Sequence, residues 1–122
     1  MSQIRILIIE DDEELRQIYR QALEREAYEI YEAADGTIAV DALESIQPHL
    51  IVLDMMMPNM RGPDVLEAIR QNPTLTDVRL VVITAYPQFR ESALSYEVDQ
   101  FLTKPVRPSE IVQAIKLALE NG

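Results

Sequence analysis

Cysteine is absent, and histidine occurs once, at His49. Disulfides, thiol chemistry, cysteine-ligated metals and histidine zinc clusters are therefore excluded. No apolar run approaches membrane-spanning length. No basic stretch followed by a signal-like apolar segment precedes the first strand, so a cytoplasmic location and no membrane partner are expected. Positive charge is scarce: 11 Lys and Arg stand against 21 Asp and Glu, a formal net charge of -10. That balance argues against non-specific binding of DNA, RNA or anionic lipid, and no direct nucleic-acid binding by this domain is expected.

What is present fits a globular chain. The 122 residues are 48% hydrophobic, enough to bury a core as one domain spanning 1–122. Three stretches are almost continuously apolar: Ile4 to Ile9, His49 to Leu53 and Val78 to Ile83. They are short and rich in branched residues, so they read as strands buried on both faces of a parallel sheet. Two others, Tyr28 to Ala33 and Val98 to Leu102, are more polar and suit sheet edges.

Helical patterns separate the strands. Leu15, Ile18, Tyr19, Ala22 and Leu23 form one stripe, with Asp12 as its N-cap and Glu13 and Glu14 at the positive end of the helix dipole. After an Asp35-Gly36 turn, Ile38, Ala39, Ala42, Leu43 and Ile46 form a second, ending near Pro48. Gly62-Pro63 opens a third with Val65, Leu66 and Ile69 inward, and Asn72-Pro73 ends it. Pro87 to Ser95 carries only a weak stripe of Phe89, Ala93 and Leu94. The last helix starts at Pro108, turns Ile111, Val112, Ile115, Ala118 and Leu119 inward, and ends at Asn121-Gly122. Strict alternation predicts an α/β fold: a five-stranded parallel sheet with helices on both faces, (βα)5. Placing the polar strands at the edges predicts the order 2-1-3-4-5, the flavodoxin-like arrangement.

Chemistry gathers where the strands end. The carboxyl end of the first strand carries Glu10 and Asp11, the third Asp54, the fourth Thr84 and the fifth Lys104. In a parallel sheet these ends share one edge. Helix capping accounts for Asp12, Glu13 and Glu14 but leaves Glu10 and Asp11 unexplained. Three converging carboxylates repel one another unless a cation is present, and an oxygen-only set suits magnesium or manganese. A lysine and a threonine beside such a site are groups that hold phosphoryl oxygens. Taken singly, Asp54 could cap a loop, Lys104 could be a solvated lysine and Thr84 an ordinary strand end. Together they read as phosphoryl chemistry on or near a carboxylate.

Four motifs in order, I-L-I-I-E-D-D, I-V-L-D-M-M-M-P, V-V-I-T-A and F-L-T-K-P, run the length of the chain. With these the chain resembles a receiver domain of the two-component response regulators. The resemblance implies that Asp54 takes a phosphoryl group from a histidine kinase or histidine phosphotransfer protein. It implies magnesium held by Asp11, Asp54 and the backbone carbonyl of Met56, with Glu10 helping through water. Thr84 would hydrogen-bond the phosphoryl group and Lys104 would pair with it. The Lys104-Pro105 bond would be cis. Thr84 and Phe101 would form the switch, remodelling the face of the fourth helix, fifth strand and fifth helix. That face would signal to a downstream protein or fused output domain, or form a homodimer. The expected role is a signalling phosphoacceptor rather than an enzyme, with self-phosphorylation from small donors and autodephosphorylation.

The chain departs from the family in places. Ala27 and Glu97 stand where glycine is usual, and Arg61 replaces a common acidic or small residue. The segment from Thr84 to Lys104 is a couple of residues short, which bears on the fourth helix. Met56 and Tyr86 lie two residues past Asp54 and Thr84, and their bulk predicts slow-to-moderate loss of the phosphoryl group. Two other readings compete. A pseudo-receiver would bind partners without phosphorylation, but all five site residues are intact. A haloacid dehalogenase-like phosphatase would place its nucleophile on the first strand in a D-x-D pattern, whereas Asp11 is followed by Glu13, and this chain has no room for a substrate cap.

Overall fold

The computed structural model describes residues 3–120. Five strands, β1 (Arg5–Ile9), β2 (Glu29–Ala33), β3 (Leu50–Leu53), β4 (Arg79–Thr84) and β5 (Gln100–Thr103), alternate with five helices. The helices are α1 (Glu13–Glu24), α2 (Gly36–Ile46), α3 (Gly62–Gln71), α4 (Arg90–Leu94) and α5 (Pro108–Glu120). The strands pair in parallel in the order β2-β1-β3-β4-β5, as the polarity of the strands predicts. The predicted C-terminal stop at Asn121-Gly122 lies outside the described residues.

The lack of alternation in the central strands has a direct cause. Successive side chains point to opposite faces, and both faces are covered. Leu7, Ile9, Ile51, Leu53, Leu80 and Val82 face one core with Ala39 and Leu43 of α2, Val65, Leu66 and Ile69 of α3 and Ala93 of α4. Ile6, Ile8, Leu50, Val52, Val81 and Ile83 face the other with Tyr19 and Leu23 of α1 and Ile111, Ala114, Ile115 and Ala118 of α5. Asp12 caps α1 as predicted, accepting the N–H groups of Glu14 and Leu15 at 3.0 and 3.2 Å.

The structure departs from the sequence pattern mainly near α4. Pro87–Phe89 forms a single 3-10 turn and only Arg90–Leu94 is α-helical, with Ala93 its one buried residue. A helix this short buries too little to fix its own ends. β5 starts at Gln100 instead of Val98 because Glu97 turns the chain with φ 60°. Asp99 then spends both its groups on Leu80: its N–H donates to the Leu80 carbonyl and its carboxylate accepts the Leu80 N–H, each at 2.8 Å. Thr84 belongs to β4 itself.

Ala27 and Glu97 adopt the left-handed conformation that glycine takes without strain, at φ 64° and 60°. Each costs about 1 kcal/mol relative to glycine. Both are tied down by other groups: Gln3 Nε2 donates to the Ala27 carbonyl at 2.9 Å, and Arg70 Nη2 to the Glu97 carbonyl at 2.8 Å.

Candidate functional site at the carboxyl edge of the sheet

The strand order reverses between β1 and β3, and an open α/β sheet leaves a crevice at such a point. Three site residues extend the strand ladder by one bond. Glu10 N–H donates to the Ala33 carbonyl at 3.1 Å, Asp54 N–H to Ile9 at 3.1 Å and Lys104 N–H to Thr84 at 2.8 Å. Sheet pairing therefore sets the height of each side chain over the crevice. The cis Lys104-Pro105 bond expected from the resemblance is present.

The predicted carboxylates do meet. One oxygen from each of Glu10, Asp11 and Asp54 lies within 4.8 Å of the others. Glu10 and Asp54 are almost fully buried, at 2% and 6% exposed, while Asp11 is open to solvent. Lys104 Nζ bridges the buried pair, 2.8 Å from Glu10 Oε1 and 3.3 Å from Asp54 Oδ2. Glu10 Oε2 also accepts the Asp12 N–H at 3.2 Å, and Asp54 Oδ1 accepts the Met56 N–H at 3.3 Å. The second bond folds the start of the loop after β3 back onto Asp54.

Burial pushes the Glu10 carboxyl up to about 7, against the pull of its bond to Lys104 and with the Asp54 charge adding to the rise. Burial alone would pull the Lys104 ammonium down. Its bond to Glu10 and the Asp54 charge outweigh that and hold it above the usual lysine value. One ammonium against three carboxylates leaves the crevice short of positive charge, and every donor is a hard oxygen. The residues present fit a small divalent cation such as magnesium.

Thr84 is fully buried on the same edge, and its hydroxyl accepts the Tyr86 N–H at 3.2 Å. Phe101 is half-buried on β5, paired with Val82, and the Arg90 guanidinium lies over its ring at 5.7 Å from the centroid. Met56 and Tyr86 are both 41% exposed at the mouth.

Three features escaped the sequence reading. In the sequence Gly62 marks only a helix start, yet a Cβ there would sit 2.5 Å from Met55 Cα, so this close approach seats the β3–α3 loop. Tyr19 reads in the sequence as helix stripe. Its hydroxyl is buried without a hydrogen-bond partner, and burial pushes the phenol up to about 12. It lines an apolar groove of about 380 Å³ with Leu15, Ala85, Lys104, Pro105 and Val106. A tyrosine in an otherwise aliphatic stripe was the available signal. Arg90 carried no signal, because its partner is on another element.

Comparison with known proteins agrees with this geometry. Residues 6–116 match the family model described as the response regulator receiver domain. The chain belongs to that family, the signalling receiver domains of two-component systems. It is 32% identical over 120 residues to the alkaline phosphatase synthesis transcriptional regulatory protein PhoP of Bacillus subtilis, covering 97% of this chain and 49% of that protein. It is likewise 32% identical to the DNA-binding response regulator MtrA of Mycobacterium tuberculosis, covering 97% of this chain and 51% of that protein. The chain thus spans about half the length of these relatives. Among solved structures, a CheY-like receiver domain protein from Methanospirillum hungatei superposes with a TM-score of 0.88 at 29% identity, covering 98% of this chain and 95% of that one. The chemotaxis protein CheY4 of Vibrio cholerae shares the fold, with a TM-score of 0.89 at 22% identity, over 96% of this chain and 99% of that one.

Proposed function

We propose that residues 1–122 act as one receiver domain in which Asp54 is the phosphoacceptor. The observation that carries this is the Lys104 bridge between two buried carboxylates, one of them Asp54, at the strand-order reversal. An Asp54 oxygen attacks the phosphorus of a phosphohistidine on a histidine kinase or histidine phosphotransfer protein. The P–N bond breaks, the electron pair and a proton go to the imidazole nitrogen, and an aspartyl phosphate forms. Asp11, Asp54 and the Met56 carbonyl would hold magnesium, or manganese, with Glu10 reaching it through water. The ion supplies neutralising charge for the phosphoryl oxygens.

Lys104 is already within reach of Asp54 and pairs with the new charge. Thr84 exchanges the Tyr86 N–H for a hydrogen bond donated to a phosphoryl oxygen. The surface of α4, β5 and α5 then changes, with Phe101 as the moving side chain, and carries the signal to a downstream protein, a fused output domain or a second copy of the chain. The names of PhoP and MtrA describe a transcriptional regulator and a DNA-binding response regulator, which supports an output step of that general kind. Water attacking the acyl phosphate returns Asp54 and releases inorganic phosphate. Met56 and Tyr86 at the mouth slow that attack.

Intact mass after incubation with magnesium and acetyl phosphate tests the assignment. One added phosphoryl group, absent in Asp54→Ala and absent without magnesium, is expected. No addition to folded protein, beside a control receiver that is labelled, would instead support a phosphorylation-independent interaction module.

A further inference from the structure

Among the helices, α4 has the fewest anchors: five residues with only Ala93 buried. Its first residue, Arg90, is exposed, and places its guanidinium 5.7 Å from the centroid of the Phe101 ring. A phenyl ring has no hydroxyl to bond in either an inward or an outward position. The charged group over its face is therefore the one directional contact described for it. Phe101 pairs with Val82, and Val82 and Thr84 point to the same face of β4. The ring thus lies on the Thr84 side of the sheet.

A continuous path joins the two. Thr84 Oγ1 accepts the Tyr86 N–H at 3.2 Å. The Tyr86 carbonyl accepts the Phe89 N–H at 3.1 Å, and the two rings meet edge to face with centroids 6.3 Å apart. Arg90 follows Phe89 directly. Any movement that takes the Thr84 hydroxyl from the Tyr86 N–H frees the start of this loop, and the loop carries Arg90 at its end.

We propose that Arg90 is a latch that holds Phe101 in its half-buried position in the unphosphorylated protein, released when Thr84 lets go of Tyr86. This rests on Asp54 being the phosphoacceptor. The latch weights the resting side of a two-state equilibrium, so removing it raises the population ready to accept a phosphoryl group. An exposed guanidinium over a ring corresponds to a shift of about two- to fivefold.

The test compares wild type, Arg90→Ala and Arg90→Lys in the full chain. Because Arg90 is exposed, both variants should melt with the wild type. The first measurement needs no phosphate: aromatic NMR signals of Phe101, assigned through Phe101→Leu. These are expected to move in Arg90→Ala and to move less in Arg90→Lys. The second is the rate of phosphoryl uptake from acetyl phosphate with magnesium, expected to rise about two- to fivefold in Arg90→Ala. Unchanged Phe101 signals would overturn the latch. Moved signals with an unchanged uptake rate would overturn its regulatory role. Absent uptake in wild type would remove the phosphoacceptor reading itself, while the NMR comparison would still decide whether Arg90 holds the ring.

Discussion

The two halves of the sheet are built differently. Around β1 and β3 every strand residue but Arg5 is buried, and the covering helices have ten to thirteen residues. Around β5 the strand is at most half-buried and α4 has five residues. The first half holds Glu10 and Asp54, whose positions need precision. The second holds Phe101 and Arg90, the moving parts of the proposed switch. A site is best placed where local opening is costly and a responsive surface where it is cheap. This chain divides the two along β4, with buried Thr84 at the boundary.

Four outcomes sharpen or break that contrast. The largest is a pair of truncations. Leu53→Ala in β3 is expected to cost about 2–5 kcal/mol, and Leu102→Ala in β5 about 1 kcal/mol, read from urea unfolding. Equal losses would mean that the halves are equally packed.

The second concerns how the loose half is held. Arg70 donates to the carbonyls of Tyr96 at 2.7 Å, Glu97 at 2.8 Å and Val78 at 3.2 Å, stitching α3 to the turn before β5. Arg70→Ala is expected to cost about 1–3 kcal/mol. Amide exchange should rise selectively from Tyr96 to Asp99. A uniform rise across the sheet would assign Arg70 to global stability instead.

A smaller change goes the other way. Glu97→Gly relieves a left-handed residue and is expected to stabilise by about 0.5–1 kcal/mol. No gain in melting temperature would show that the Arg70 bonds already absorb the strain.

The smallest effect is on acid stability. His49 Nδ1 accepts the Arg5 N–H at 2.9 Å, which requires the neutral ring. Burial first, and the Arg5 charge second, hold its pKa below the ordinary histidine value. The unfolded chain therefore binds this proton more readily than the folded one. The contribution is complete above the ordinary histidine pKa and is lost as pH falls through the lower folded value. Melting of His49→Gln should fall less than that of wild type between about pH 7 and pH 5. Parallel curves would remove His49 from the acid response.

Much of the site could be read without coordinates because its residues are punctuation. Glu10, Asp54 and Thr84 end apolar runs, and Lys104 precedes a proline, so position along the chain is enough to find them. Arg70, Arg90 and Gly62 have no such mark. Their partners are 26, 11 and seven residues away in the chain, and the pairing exists only once α3 and α4 have packed. β5 starts two residues after its run begins for a related reason, since Asp99 answers to Leu80 on the neighbouring strand.

Local rules operating within a few residues therefore determined the α/β class, the strand order and the edge where acid and base meet. Burial on both faces writes itself as an apolar run, and a parallel sheet sends every run's end to the same side. Tertiary structure alone decided that Lys104 bridges Glu10 and Asp54, that Thr84 rests on Tyr86, and that Arg90 covers Phe101. Those contacts depend on distances between elements, which only the packing of the helices onto the sheet sets.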